Sequence, residues 1–463
     1  MRDAPVTLRY VLERTPAGHC QGARVTERLW GLLGPEKLAT TRRTRTLDLS
    51  RAVRRFNERA VPGTGGLWFG RQAYLTALSV VVAERVTARG LRCSNIEMAN
   101  AIEAIACMIA FDAHGRVADP RLRGRNKLPA DGAPTFAAAR QRGFHVAQPM
   151  RMSTAQALPF LGLAHAAGSR FNTFSSTDAA MPFIEACADT EKVGKHRSVV
   201  DHLENWAVNG PLSFNNAELR AALDPTRPLP ASACRLLRYA VEEGGALDPA
   251  DRTRRQNAWR WVARLQTSTT VADHIDHHAG PPELDADHWH DVRAGAYLFR
   301  VRDAANAVLD SVEGLLATRQ GRAKVPVDGA LCRDVAPQLT QLAEHARAFL
   351  ALGHHDDEAN RFSRECEAGD ADTLRALLRR DDHVLRLLDD CAQPGPAYTG
   401  QPPALPQDHG DPQEETGLDT YAPSLPAGRS YRLRNLYLLH MDLHGLLGPK
   451  IDAARAAAAG VSA

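Results

Sequence analysis

The chain has 463 residues, 44% of them hydrophobic and 24% charged, with a formal net charge of +3 at pH 7. That balance is ordinary for globular material and excludes a chain too polar to build a core. The net charge is too small to mark a nucleic-acid binder, so local charge carries the information.

No opening segment joins a basic lead, an apolar core and a cleavage-like end, and no later run reads as a transmembrane helix. No membrane association is therefore expected, and a cytoplasmic location is. The eight cysteines, at positions 20, 93, 107, 187, 234, 332, 366 and 391, contain no CxxC pair. Their dispersal favours reduced thiols over a disulfide framework or a thiolate zinc site.

Helical periodicity dominates, so the expected fold is mainly α, a multi-helical globular protein with long loops and little strand. The expected organisation is an N-terminal helical domain over 1–241 with a central hairpin at 67–111, and a C-terminal helical domain over 253–391. A Pro/Gly-rich linker or long loop over 392–429 precedes a docking helix and tail over 430–463. The breakers Gly244-Gly245 and Asp248-Pro249 place the domain boundary at 242–252.

In chain order, β-branched and aromatic residues predict a short strand at Val6–Leu12, with a helix around Val25–Leu33. Residues 42–59 carry seven arginines against Asp48 and Glu58. Thr46 or Asp48 is expected to cap a helix that turns Leu49, Val53 and Phe56 inward and leaves Arg51, Arg54 and Arg55 for solvent or phosphate.

The apolar density peaks in the hairpin. Leu67, Trp68, Phe69, Tyr74, Leu75, Leu78, Val81 and Val82 make one helical face. Ser94 and Glu97 then form a capping-box pattern before Met98, Ile102, Ile105 and Ile109, which recur at helical spacing. The apolar interval between Ala73 and Ala83 is too short to span a bilayer. Glu97, Asn100 and Glu103 suit either a cleft or a cap with a solvated edge.

A second basic stretch runs from Arg116 to Arg142 and includes Arg121, Arg123 and Arg125, broken by Pro120, Gly124, Pro129, Gly132 and Pro134. It reads as a surface loop. Folded beside Arg51–Arg55, it would form a phosphate-binding surface, because the guanidinium fork matches phosphate oxygens. A solvated basic face, or ion pairs to the acidic C-terminal third, accounts for the same residues.

Between 168 and 178 the chain is rich in hydroxyls but has neither a GxSxG elbow nor a GxxxxGK[ST] loop, and Ser176 or Thr177 is expected to cap a helix near Asp178. Further helices are expected over 191–207, 231–241, from about Arg252, and over 294–316, 335–350, 371–388 and 431–444. Trp259, Trp261 and Leu265 are assigned to a core edge. The charge from Asp356 to Asp390 is net acidic, 11 acids against six arginines.

Three His/Asp/Glu stretches suit divalent-metal chemistry. The first is Asp273-His274 with Asp276, His277 and His278; the second is Asp285, Asp287, His288, His290 and Asp291; the third is His354-His355-Asp356-Asp357-Glu358. Asp273, His277, His354, His355 and Asp356 are the expected ligands of a divalent metal that would activate water. No HExxH pattern is present, and caps, turns and ion pairs compete for each residue.

The sequence thus points to a metal-dependent hydrolase of a phosphate-containing substrate, with no catalytic residue assigned. The alternative is a non-catalytic nucleic-acid-associated or protein-assembly factor with Arg51, Arg54, Arg55, Arg121, Arg123 and Arg125 as its footprint. The C-terminal helix is the candidate protein contact.

Overall fold

The computed structural model describes residues 45–189, 192–195, 198–210, 212, 215–267, 275–277, 279–318, 324–400, 417–422, 425 and 428–461. The expected strand at Val6–Leu12 and helix at Val25–Leu33 lie outside these residues. The fold is mainly α, with two small antiparallel sheets among the described residues.

The first helix, α1, spans Ser50–Ala60 and buries Val53 and Phe56, while Arg51 and Arg54 face solvent. Leu49 is its N-cap and no side chain caps it, so neither Thr46 nor Asp48 takes that role. Asp48 is turned away because Leu47 and Asp48 both adopt left-handed backbone, with φ of 51° and 56°. That turn lets Leu47 and Leu49 both reach the core.

Helices α2 (Gly70–Ala88) and α3 (Asn95–His114) form the expected central hairpin. The Ser94 hydroxyl accepts the Glu97 N–H, and Glu97 accepts the Ser94 N–H at 2.8 Å, which completes the capping box. Both helices are buried along nearly their whole length, because later elements cover the faces they do not turn to each other. Three single-turn helices follow, α4 (Phe136–Ala139), α5 (Arg151–Thr154) and α6 (Ala157–Phe160).

Strands β1 (Ala164–Ala166) and β2 (Phe174–Ser176) pair antiparallel with Ala164 opposite Ser176. Helix α7 spans Ala180–Ala188, with Ala179 at its N-cap. Ser176 and Thr177 do not cap it: the Ser176 hydroxyl is held by Glu84 at 2.6 Å and that of Thr177 donates to the Gly162 carbonyl at 2.6 Å.

The chain continues through α8 (Val199–Asn209), α9 (Ala217–Leu223), α10 (Ala231–Glu243) and α11 (Pro249–Thr267). Helix α10 packs on α11 across the 242–252 connection, and both belong to one core. The 33-residue α12 (Ala286–Thr318) is the longest described helix. Strand β3 (Val325–Pro326) leads to α13 (Gly329–Asp334), α14 (Ala336–Ala351), α15 (Asp357–Cys366) and α16 (Asp370–Asp381).

The helix expected over 371–388 ends early. Asp382, with φ of 43°, closes α16, and Leu385 and Leu388 lie instead in β4 (Leu385–Leu388), beside β5 (Cys391–Pro394). Helix α17 (Tyr431–Leu443) has Tyr431 to Met441 buried and packs on α11, α1 and α2, so its apolar surface is covered within the chain. Helix α18 (Leu447–Val461) follows.

The apolar interior of the described residues falls into two cores. One joins α2, α3, α7 to α11 and α17, and reaches the first turns of α12 through Trp289 and Val292. The other joins α1 and the rest of α12 to α14, α15, α16, β4 and β5. Trp259, Trp261 and Leu265 are buried in the first core. The seven described cysteines are free, and no described helix is long and apolar enough to cross a membrane.

Candidate anion-binding groove

Helix α1 lies between α12 and the start of α15, held there by its arginines. Arg55 donates two hydrogen bonds to Asp356, both at 2.9 Å, and a third to Glu358 at 2.9 Å. These bonds raise the Arg55 pKa further, the Asp356 hydrogen bond contributing most. Asp356 also caps α15 by accepting the Ala359 N–H at 3.1 Å. Burial pushes the Asp356 carboxyl up, but Arg55 and that amide outweigh it and hold the group below its ordinary value.

Beside this pair, buried His354 accepts the Asp356 N–H at Nδ1, 3.1 Å away. An amide can only donate, so Nε2 carries the proton of the neutral ring and donates to Asp291 at 2.9 Å. Arg254 donates to the other Asp291 oxygen at 2.6 Å. Burial raises the Asp291 carboxyl, yet His354 and Arg254 together bring it down to about 2. His290 stacks on His354 with ring centres 5.5 Å apart, and Arg59 lies 3.8 Å from Asp291. This network joins α1, α11, α12 and the loop before α15.

Residues four apart share a helix face, so fixing Arg55 also fixes where Arg51 points. Arg51 lines a groove of about 820 Å³ between α1, α15 and α16. Thr46, Ser50, Arg361, Arg379 and Arg380 line it too, with Asp48, Glu358 and Glu365. Two of those three acids are engaged: Glu358 by Arg55, and Glu365 by Arg380 at 2.6 and 3.1 Å. Arg380 also donates to the Leu47 carbonyl at 3.0 Å.

Arg51, Arg361 and Arg379 are exposed and make no hydrogen bond or ion pair among the described residues. Three guanidinium groups from three helices therefore face one groove, against Asp48, the one lining acid with no hydrogen bond or ion pair among the described residues. The uncapped N-terminus of α1 lies at the same groove. Such an arrangement can hold an oxyanion by charge-assisted hydrogen bonds.

The other expected anion contacts lie apart from it. Arg54 is exposed on α1. Arg121 is buried against Asp119, at 2.8 and 3.0 Å, and donates to the Thr226 carbonyl at 2.8 Å. Arg123 donates to the Pro120 carbonyl at 2.6 Å. Arg125 is exposed, and its own carbonyl accepts from Arg116. This second basic segment packs with α3 on the first core, whereas the groove belongs to the second.

Of the expected metal ligands among the described residues, only His354 and Asp356 are brought together, and both are committed to the network above. His355 and His277 are exposed, and Asp273 lies outside the described residues. The neighbouring Asp276 is held by Arg300 at 2.7 Å and Tyr297 at 2.9 Å. Asp285 caps α12 by accepting the His288 N–H at 2.7 Å, and the His288 ring meets the Ala60 carbonyl at 3.0 Å. Among the described residues, no three His, Cys, Asp or Glu side chains gather as a metal requires.

The three polar side chains of α3 named above, Glu97, Asn100 and Glu103, are all hydrogen-bonded. Glu97 completes its cap and accepts from Arg140, and Asn100 accepts from Arg151 at 3.1 Å. Glu103 accepts the Met150 and Arg151 N–H groups at 2.7 and 2.8 Å. Its complete burial outweighs them and pushes its carboxyl up to about 7.

Arg361 and Arg379 were not singled out by sequence. Both sit inside a net acidic segment, and only the fold shows which of its acids are neutralised. No protein-family model matches the chain, and neither does a curated protein or a solved structure.

Proposed function

We propose that this protein binds a compact phosphate-bearing molecule in the groove between α1, α15 and α16. The observation that carries the reading is the convergence of Arg51, Arg361 and Arg379, three guanidinium groups with no ion pair among the described residues. Three such guanidinium groups outnumber the one unengaged acid among the described lining residues, Asp48, and an anion in the space between them would balance that excess of positive charge.

A compact ligand suits this arrangement better than a nucleic-acid track. Arg116, Arg121, Arg123 and Arg140 of the second basic segment donate to carbonyls and carboxylates of their own surroundings. They are therefore not available to extend the groove's field along a strand.

Metal-dependent hydrolysis of the same ligand would need three protein donors beside the groove. His354 and Asp356, held by Asp291 and Arg55, do not supply that set, so the geometry favours binding. Calorimetric titration with inorganic phosphate and pyrophosphate tests the reading. Heat that saturates for the native chain and is lost on replacing the three arginines supports it, and equal heats for both proteins overturn it.

A further inference from the structure

A second cleft, of about 380 Å³, opens between the start of α10 and the C-terminal end of α17. Its character differs from that of the groove. Leu229, Ala231 and Leu443 give it an apolar wall, and Arg235, Asp442 and His444 stand around that wall.

Each polar group is positioned by the local fold. Helix α17 ends at Leu443, and His444 is its C-cap, followed by Gly445 at φ of 71°. There the His444 Nδ1 lies 2.7 Å from the His440 carbonyl, which can only accept. The proton of the neutral ring is thereby fixed on Nδ1, leaving Nε2 as an acceptor. The His440 ring stacks against it with centres 4.2 Å apart and is itself tied to Gln266 at 2.6 Å.

Asp442 accepts the Gly70 N–H at 2.8 Å through one oxygen, which anchors it to the start of α2. Burial raises its carboxyl above the ordinary value. Arg235 is exposed and makes no hydrogen bond or ion pair among the described residues, while its neighbour Arg238 reaches Glu242 only at 3.4 Å. Arg235, with no ion pair among the described residues, stands beside an apolar wall and an oriented acceptor, while one oxygen of the cleft's carboxylate, Asp442, is already held by the Gly70 N–H, and this is a recognition set for a small amphipathic anion.

We infer that this cleft binds a small organic acid, its apolar body against Leu229, Ala231 and Leu443 and its carboxylate on Arg235 and Arg238. Nε2 of His444 accepts from any hydroxyl or amide donor the ligand carries. This site is independent of the groove, so either stands without the other.

The test uses the full chain with benzoate as the probe and benzamide, its neutral counterpart of the same shape, as the control. Binding is read from the imidazole proton signals of His444, assigned by their loss in His444→Gln. A saturable benzoate shift is expected, about tenfold weaker for benzamide and for the double variant Arg235→Gln, Arg238→Gln, as loss of a charge-assisted hydrogen bond requires. Both arginines are exposed, so the variant keeps its fold, which the unchanged signals of the buried His288 and His354 rings, remote from the cleft, would verify. The absence of a saturable benzoate shift, equal affinity for benzamide, or an unchanged affinity in the double variant would each overturn the inference.

Discussion

Arg55 and Asp356, 301 residues apart in the chain, are joined by two parallel hydrogen bonds of 2.9 Å. That pair connects one of the sequence's basic segments to one of its His/Asp stretches. Each partner is thereby withdrawn from the role its neighbourhood suggests, Arg55 from ligand binding and Asp356 from metal binding. The pair sets the rotation of α1 and, one turn earlier, directs Arg51 toward the groove.

The neighbouring Asp291 makes this network sensitive to acid. Its folded pKa of about 2 lies below the ordinary value of 3.8, so its contribution is complete above about pH 4 and disappears as pH falls toward 2. Asp291→Asn should cost about 2 kcal/mol at neutral pH. Urea unfolding of the two proteins from pH 7 down to pH 2 should show their difference in stability narrowing below pH 4. A difference that stays constant across that range would exclude this linkage.

Arg45 is 1% exposed and is paired with Asp310, Glu313 and Asp381. Arg45→Met leaves buried carboxylates without their cation and should destabilise the chain by about 3–5 kcal/mol. The urea midpoint is the readout. A midpoint within experimental scatter of the native value would mean that the four-residue cluster contributes nothing net.

The α3 capping box gives a milder prediction. Ser94→Ala removes the acceptor for the Glu97 N–H and should cost about 1 kcal/mol. The same change should speed amide exchange in the first turn of α3 while leaving its buried centre protected.

The hairpin was legible because its information is local. Apolar spacing and the Ser94–Glu97 pattern both lie within a few residues of what they specify. The end of α16 was not. Leu385 and Leu388 continue the helical spacing of Leu374, Leu377 and Leu378, and only the left-handed turn at Asp382 and pairing with β5 place them in a strand. Register with a strand is decided by tertiary pairing, which periodicity cannot read.

Charge was legible in amount but not in use. The two basic segments have the same count of cations and acids, yet Arg51 reaches a groove while Arg121 and Arg123 satisfy nearby carboxylates and carbonyls. In the acidic segment, Asp356, Glu358 and Glu365 are neutralised by Arg55 and Arg380, which leaves Arg361 and Arg379 to dominate their part of the groove. The candidate ligand site is thus a difference between charges that the fold pairs and charges that it leaves.

The measurement closest to the central claim is isothermal titration of the native chain and of Arg51→Ala, Arg361→Ala and Arg379→Ala with pyrophosphate at low and physiological salt. Each guanidinium supplies a charge-assisted contact, so every single replacement should weaken binding about tenfold, and added salt should weaken the native interaction. Arg125→Ala, on the second basic segment, should leave the affinity unchanged. Binding that survives the three groove replacements, or that falls with Arg125→Ala instead, would contradict the account.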